Sequence, residues 1–555
     1  MDQPKPFRMP ITIGVTGHRL IAAADLPAIE KAVGSILDAL KAKAPQTPLL
    51  LLSGLAEGAD RLVARIAMEK HGAELCVVLP MSVEDYRLDF ATPESKAEFD
   101  RLLASARLVV TPESRGLKVD RTSSAERKAG YAAAGEWVAL NSHLLIALWD
   151  GEDARGKGGT AEIVAAKLRG RCRDDGRCGP LHYDEGGAVA HVMVPREGKP
   201  PPKAAGTIAW LYPDVARIGV RSGEHRYQSV VSSLETFNRL LIKRGPSLAP
   251  MPGSAPHVAA LRSAASAFAR RFRSLTHRAT LVTVLASVVA AAATAVDGLF
   301  SSTVGTFVTA AAIVIGAGTW ALSSWKHWQR LHTDCRALAE ACRVQAVWIA
   351  SGLSYCVADH YHPVQAASVQ WIRRAVRTAH MMDNLPVETG PVSPERQRQY
   401  ADATLAWIKE QVGYFLGDSG VVPRYRRQAR LFAILGLICF AIGVLVLGSG
   451  KLLDWMAGNA ALIGDPLLNV GKLVLAVGAS MQAYQAFMGF GDLQRSFAVS
   501  AHLFGVADAE ARAAEAAGDY ERLKALVFEL GQAALFENVN WVLIRRTRRV
   551  KPSLG

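Results

Sequence analysis

Cysteine is scarce in this sequence: seven residues of 555, scattered along the chain. Small secreted domains that rely on disulfides are dense in cysteine, so this pattern argues against a disulfide framework and fits a reducing compartment. The opening residues, MDQPKPFRMP, lack the apolar core of a secretory signal peptide. We therefore expect the N-terminal part of the protein to be cytoplasmic.

Charged residues are absent from three long apolar runs, 279–296, 305–325 and 431–448, and a fourth run, 467–490, has only Lys472. A helix of 18 residues covers about 27 Å, close to the hydrocarbon thickness of a bilayer. We therefore predict four transmembrane helices. The alternative is a large all-helical soluble core, but buried helices of soluble proteins usually keep a polar face.

Aspartate, glutamate and histidine are also missing from these runs, which disfavours a proton-coupled transporter. Small residues are frequent instead, and they permit close contacts between helices. We expect the Lys472 side chain to extend to the outer interface rather than to line a pore.

Positive charge is abundant, with a formal net charge of +14, but it is concentrated beside the apolar runs. Basic residues precede the first run, follow the second and precede the third, whereas 297–304 has no Lys or Arg and 449–466 has only Lys451. This bias predicts a multi-pass membrane protein with both ends in the cytoplasm. The bilayer is thus the expected partner, and nucleic-acid binding is not expected.

The N-terminal part alternates two kinds of pattern. Apolar runs at 11–16, 49–52, 75–79, 108–110 and 144–149 are predicted strands, and segments with helical spacing separate them. Strands that alternate with helices indicate an α/β domain with a doubly wound parallel sheet. Ligands of such sheets bind at the carboxyl ends of the strands, so the turns that follow the strands should meet at one crevice.

The most informative turn is Gly156-Lys157-Gly158-Gly159-Thr160, between the last of these strands and a helix over 161–168. Glycine lets the backbone approach a ligand closely, and the start of a helix directs N–H groups and a positive dipole end at an anion. We interpret the turn as a phosphate cradle. The alternative is a sharp corner without a ligand.

Several motifs in this part resemble one superfamily. SGLAEGAD, residues 53–60, resembles the SGLAxGID stretch of the DNA-processing protein DprA/Smf. Arg127-Lys128, then LLIAL, then Gly158-Gly159-Thr160-x-Glu162 resembles the RKxxM, IAL and PGGxGTxxE signature of the LOG phosphoribohydrolases, and VTGHR at 15–19 resembles related bacterial members. On these motifs the domain is identified as a member of the SLOG superfamily of Rossmann-like nucleotide-binding domains.

The candidate ligand-binding residues come from these motifs: Gly17, His18, Arg19, Ser53, Gly54, Gly58, Asp60, Lys128, Gly158, Gly159 and Thr160. Backbone N–H groups around Gly54 and at 158–160 are expected to hold phosphate oxygens, with the Ser53 and Thr160 hydroxyls assisting. The alternative for Asp60 is a residue that only starts a helix. His18 and Arg19 could equally order the first turn.

The resemblance also implies an enzymatic pair. Arg127 has a planar guanidinium suited to a phosphate or carboxylate, and the resemblance implies an active-site role for it. Glu162 would then be the acid/base for N-glycosidic cleavage, and the alternative for it is a helix-capping carboxylate. The proline of the PGG motif is absent and Tyr131 stands where the family has methionine. Since binding tolerates such changes better than catalysis does, we favour a sensor over an enzyme.

No metal site and no certain cofactor are predicted. Cys172, Cys178 and His182 lie close together in the sequence, and we favour a solvated loop over a metal site there. The expected ligand is a small anionic nucleotide or a derivative of NAD.

The C-terminal half shows the same layout twice: a basic lead-in, two apolar runs and an amphipathic helical tail. This resembles the SLATT class of two-span modules, which implies pore formation. In the first tail, apolar residues from Trp328 to Ile349 recur at steps of three and four, so the helix needs a partner in its own chain or in another subunit. The predicted domains are 1–200 (SLOG-like), 201–260 (linker with a helix), 261–384 (first hairpin, 279–296 and 305–325, with cytoplasmic helices), 385–430 (connecting helices) and 431–555 (second hairpin, 431–448 and 467–490, with C-terminal helices).

Three functions follow from these patterns. The first is an inner-membrane effector, oligomeric, whose cytoplasmic domain senses a nucleotide or NAD-derived signal and gates or assembles a pore, as in antiphage defence. The second is a membrane-anchored hydrolase of a nucleotide N-glycosidic bond that uses Arg127 and Glu162. The third is a constitutive channel or scaffold whose α/β domain is only structural.

Overall fold

A seven-stranded sheet forms the centre of the N-terminal part. The computed structural model describes residues 8–117, 123–153, 158–170, 186–196, 203–213, 222–244, 255–300, 303–385, 387, 390–456 and 464–547. The strands are β1 Ile11–Gly17, β2 Leu49–Ser53, β3 Glu74–Val78, β4 Leu108–Val110, β5 Leu144–Trp149, β6 Ala188–Met193 and β7 Ile208–Leu211. Their order across the sheet is β4-β3-β2-β1-β5-β6-β7, and only β7 is antiparallel to its neighbour.

Both faces of this sheet are covered. Leu49, Leu50, Leu51 and Leu52 of β2 are each 0 or 1% exposed, although successive side chains of a strand point to opposite faces. Continuous apolar runs are typical of parallel strands buried on both faces. The predicted α/β fold with a mainly parallel sheet is confirmed, and β7 is an edge strand that the sequence patterns did not indicate.

Within the described residues, seven helices accompany the strands: α1 Leu26–Lys43, α2 Ala59–His71, α3 Val83–Arg87, α4 Pro93–Ala104, α5 Ser124–Asn141, α6 Thr160–Arg169 and α7 Gly223–Arg244. Local sequence explains several of their starts. Thr92 caps α4 by accepting a hydrogen bond from the Ser95 N–H at 3.1 Å. Ser123 and Glu126 form a reciprocal capping box at the start of α5.

The remainder of the described chain is helical: α8 Pro256–Phe300, α9 Thr303–Trp325, α10 Trp328–Ala350, α11 Pro363–Ala366, α12 Gln370–Asp383, α13 Pro394–Leu416, α14 Val421–Met456, α15 Gly464–Met488, α16 Phe490–Ala516 and α17 Tyr520–Thr547. Within the described residues, four segments are long and apolar enough to cross a membrane: Pro256–Ala295, Thr303–Trp325, Pro394–Met456 and Pro466–Ala516. At most 22% of the most apolar window of each is buried within the protein. A soluble core would bury these windows, so the exposed apolar surface indicates a membrane protein.

Two units divide the chain, one formed by residues 1–264 and 341–397 and the other by 265–340 and 398–555. In the first unit, α12 joins the sheet: Met381 and Met382 pack in the same core cluster as Leu50 of β2. The Arg374 Nη1 donates to the carbonyl oxygens of Leu140 and Ser142, at 3.0 and 3.2 Å. The chain passes between the units within α8, α10 and α13.

Helix α7 is hydrogen-bonded to the residues that precede β1 and β2. Its Asn238 side chain is fully buried and donates to the Met9 carbonyl at 2.8 Å, while its Oδ1 accepts the Met9 N–H at 2.9 Å. The Asn238 Nδ2 also donates to the Thr47 hydroxyl at 3.0 Å. The segment predicted as a linker with a helix thus fastens the start of β1.

In the second unit, glycines set the distance between the long helices α14 and α15. A Cβ on Gly443 would lie 2.7 Å from the Leu475 side chain, and a Cβ on Gly471 would lie 2.7 Å from that of Leu447. Small residues at facing positions therefore allow close packing, as the sequence predicted. Helix α10 has a partner in its own chain, because Asn538 of α17 donates to the Ala337 carbonyl at 3.2 Å.

Replacing Asn238 by alanine should destabilise the α/β unit by roughly 2 to 3 kcal/mol, because buried backbone groups of Met9 would lose their partners. Thermal unfolding of the full chain in detergent measures the effect. Thr236→Ala, at an exposed position of the same helix, is the matched control. Equal melting temperatures for the two variants would contradict this role of Asn238.

Gly443→Val should destabilise the α14 and α15 pair by about 1 to 3 kcal/mol through overpacking. Gly448→Val is the control, since a Cβ on Gly448 meets nothing within 4 Å. The measurement is the melting temperature of the full chain in detergent. If both variants melt at the same temperature, the helices do not pack at Gly443 as described.

Candidate functional site: a crevice at the carboxyl edge of the sheet

The crevice lies where the strand order reverses, between β1 and β5. Neighbouring strands continue in opposite directions from this point, so the loops that follow them separate and leave an opening. The cavity there has a volume of about 480 Å³. Nine of the predicted residues line it: Gly17, His18, Arg19, Gly54, Asp60, Lys128, Gly158, Gly159 and Thr160.

Four predicted residues do not line the cavity: Ser53, Gly58, Arg127 and Glu162. Gly58 has a φ of +77°, and a Cβ on it would lie 2.2 Å from the Arg19 carbonyl oxygen. The Ala59 N–H donates to the His18 carbonyl at 3.0 Å. Gly58 is therefore required for close packing of the loop after β2 against the end of β1 rather than for contact with a ligand.

Carboxylates of the chain occupy parts of the predicted phosphate cradle. The Gly158 N–H donates to the carboxylate of Glu162, which lies in the first turn of α6. The Ala56 N–H is 3.4 Å from Oδ2 of Asp60, and the Leu55 N–H donates to the Ser53 hydroxyl at 3.0 Å. An anionic ligand would have to replace these groups or use the N–H groups that the first turn of α6 leaves without helical acceptors.

Arg127 is held outside the cavity by an ion pair. Its guanidinium contacts one carboxylate oxygen of Asp89, and the Tyr131 hydroxyl donates to the other. Burial, followed by the hydrogen bond to Asp89, raises the pKa of Tyr131 to about 12. Arg19 lies 5.1 Å from the centroid of the Tyr131 ring, so this phenol links Asp89 to the cavity wall.

The polar residues His18, Asp150 and Arg196 lie together at the ends of β1, β5 and β6. The Asp150 N–H donates to Nε2 of His18 at 3.1 Å, and the Arg196 Nε is 3.2 Å from the Asp150 Oδ2. Burial lowers the pKa of His18. The charge of Asp150 acts to raise this pKa, and the charge of Arg196 lowers it further. Because Nε2 accepts a hydrogen bond, His18 is a neutral imidazole with its proton on Nδ1.

Asp150 and Arg196 are not among the residues predicted from the sequence. Asp150 directly follows β5, and Arg196 comes three residues after β6 ends. The rule that ligands of parallel sheets bind at the carboxyl ends of strands could have indicated both. Trp149, the last residue of β5, also lines the cavity and offers an aromatic surface.

The cavity combines cations with an aromatic wall. Lys128 is exposed and forms no ion pair within the described residues, whereas Arg196 is paired with Asp150. Trp149 and Tyr131 provide ring surfaces. The carboxylates of Asp60, Asp150, Glu152 and Asp153 also line the cavity. A cavity of this size with cations and aromatic walls suits a small molecule that carries both an anionic group and a planar ring.

A metal site finds no support in the part of the chain that the structure describes, where no three His, Cys, Asp or Glu side chains form a group that could hold an ion. Cys172, Cys178 and His182 lie outside the described residues.

Asp60 makes the site sensitive to pH. Burial raises its pKa to about 7, although hydrogen bonds from the Ala56 and Gly54 N–H groups, the charge of Arg19 and the Ser53 hydroxyl favour the charged form. The folded protein therefore binds this proton more tightly than the unfolded chain does. Stability from this group is fully present below pH 4 and is lost as the pH rises towards and through 7.

Asp60→Asn should remove this dependence. Between pH 4 and 7 the wild type should lose stability relative to the variant, at up to about 1.4 kcal/mol per pH unit. Thermal unfolding of both proteins across this range is the measurement, with Glu94→Gln, an exposed position on α4, as the control. Parallel pH profiles for wild type and Asp60→Asn would show that Asp60 titrates normally.

Comparison with known proteins supplies no family for this fold and site: no protein-family model matches the sequence, and no curated protein matches it. The SLOG and SLATT resemblances therefore stay predictions that rest on the motifs themselves.

Proposed function

We propose that this protein is a multi-pass effector of the bacterial inner membrane whose α/β unit senses a small anionic nucleotide or an NAD-derived ligand. The single observation that carries the proposal is the composition of the crevice. It brings the start of α6, the ring of Trp149 and Lys128, which forms no ion pair within the described residues, to one cavity of about 480 Å³. A phosphate fits the start of α6 and Lys128, and a planar base fits the Trp149 ring.

Sensing requires that the ligand bind two states with different affinity, since equal affinity shifts nothing. The arrangement at α6 supplies a basis for such a difference. Glu162 accepts the Gly158 N–H, and a ligand phosphate that took this donor would release the Glu162 carboxylate. We propose that this exchange alters the first turn of α6 and that the change gates or assembles the membrane helices of an oligomer into a pore. An antiphage system is the proposed setting.

Hydrolysis of an N-glycosidic bond is the less supported function. Arg127 is bound to Asp89 and Glu162 to the Gly158 N–H, and neither lines the cavity. A pair acting on one substrate would have to leave both partners.

Isothermal calorimetry of the full chain in detergent, against nucleoside monophosphates, cyclic dinucleotides, NAD and ADP-ribose, tests the proposal. We expect one class to bind, and Lys128→Gln to weaken that binding about tenfold because a charge-assisted hydrogen bond is lost. The control is Lys70→Gln, an exposed lysine in the last turn of α2. The cavity lies at the other end of this helix, where Asp60 lines it. Absence of binding by every compound, or equal affinities for the two variants, would contradict the proposal.

The same samples separate sensing from hydrolysis. Chromatography of the bound compound after long incubation should show no free base. Release of base that disappears in Glu162→Gln and in Arg127→Gln would instead support the hydrolase.

A further inference from the structure

A group of cations surrounds Trp541 in the second unit. The Arg336 Cζ lies 3.9 Å from the centroid of the Trp541 ring, the Arg545 Cζ lies 5.9 Å from it, and the His332 ring lies at 5.6 Å. Trp541 is 2% exposed. A buried indole of α17 thus holds two arginines and a histidine from two helices around one point.

Arg273 of α8 adds a third arginine. Its positive charge, with those of Arg336 and Arg545, acts on His332, whose pKa falls to about 3 chiefly because of burial. Burial likewise lowers the pKa of Arg545, with Arg336 and Arg273 adding to the effect and Tyr425 opposing it. We call Arg273, His332, Arg336 and Arg545, together with Trp541, the Trp541 cluster.

Within the described residues, the three arginines of the Trp541 cluster form no ion pair with a carboxylate, whereas the adjacent Arg546 pairs with Asp334 at 2.7 Å. Two donors of the cluster, the Arg545 Nε and the Trp541 Nε1, are buried without an acceptor. The charges of Arg336, Glu340 and Glu537 all act on Tyr414. Arg336 and Arg545 are partly buried and Arg273 is exposed. Partly buried like charges with unsatisfied donors are costly unless a counter-ion joins them.

The cluster lies at one end of the apolar runs. Arg273 comes shortly before the run 279–296, and Arg336 comes shortly after 305–325. Tyr425, which acts on Arg545, precedes 431–448. The ends of membrane helices are where the phosphates of lipid headgroups lie, and arginine binds phosphate with its planar fork.

We propose that the Trp541 cluster binds the phosphate of an anionic phospholipid headgroup. The phosphate oxygens accept from the guanidinium groups of Arg336 and Arg545, and the acyl chains lie along the exposed apolar surface of the spans. The lipid supplies an anion to the three arginines, which pair with no carboxylate of the described residues.

Native mass spectrometry and thermal melting of the detergent-solubilised full chain, with added phosphatidylglycerol or phosphatidylcholine, test this site. We expect phosphatidylglycerol to bind and to raise the melting temperature, and phosphatidylcholine to do neither. Arg336→Gln and Arg545→Gln should each weaken phosphatidylglycerol binding about fivefold. The matched control is Arg426→Gln, an exposed arginine before the third apolar run but outside the cluster.

The lipid-free proteins provide a second readout. Removing one of several unneutralised cations relieves repulsion, so Arg545→Gln without lipid should melt no lower than the wild type. A lower melting temperature would mean that Arg545 only stabilises the fold and would overturn the proposal, as would equal lipid affinity in all variants. An equal loss of phosphatidylglycerol affinity in Arg426→Gln would mean that general surface charge attracts the lipid, and it would also overturn the proposal. Inorganic phosphate that raised the melting temperature as phosphatidylglycerol does would refute the lipid assignment.

Discussion

The reversal of strand order between β1 and β5 is the constraint on which the candidate site depends. From this point the strands β2, β3 and β4 extend to one side and β6 to the other, so the loops after β1 and β5 cannot cover the space between them. Polar side chains collect there because their backbone positions follow strand ends: His18 after β1, Asp150 after β5 and Arg196 after β6. A sheet with sequential strand order would offer no such opening, and the same motifs would then be surface loops.

In and around this opening, carboxylates of the chain occupy groups that an anionic ligand could use. Glu162 accepts a hydrogen bond from the Gly158 N–H, and Asp60 accepts one from the Ala56 N–H in the loop after β2. Asp89 forms an ion pair with Arg127. Such internal partners keep polar groups satisfied in the absence of a ligand, which a buried loop requires. They also mean that ligand binding exchanges one set of hydrogen bonds for another. That exchange is a physical basis for two states of the site, and a site whose donors all pointed into solvent would have none.

The half of the chain with the four membrane-length helices is held together by different interactions. Its helices expose apolar side chains on most of their surface, so apolar burial against the rest of the protein contributes little to holding them together. Close packing at Gly443 and Gly471 holds α14 and α15 together instead. Cations flank the apolar runs, and the arginines around Trp541, which pair with no carboxylate of the described residues, are the positive charge to which we propose that a lipid phosphate binds. Helices α8, α10 and α13 carry the chain from one unit to the other, which gives a covalent route between them.

The sequence by itself determined the strands up to β5, the mainly parallel sheet and the four apolar helices, because hydrophobic periodicity and run length are local properties. It also indicated nine residues that line the crevice, since turns after strands and glycine motifs are local too. Only the tertiary structure decided that Arg127 is bound to Asp89 and that Asp150 and Arg196 belong to the site. It alone added α12 to the sheet unit and gathered the arginines around Trp541. These outcomes depend on residues far apart in the chain, whose distances are fixed by packing and strand order, and no local pattern encodes such distances.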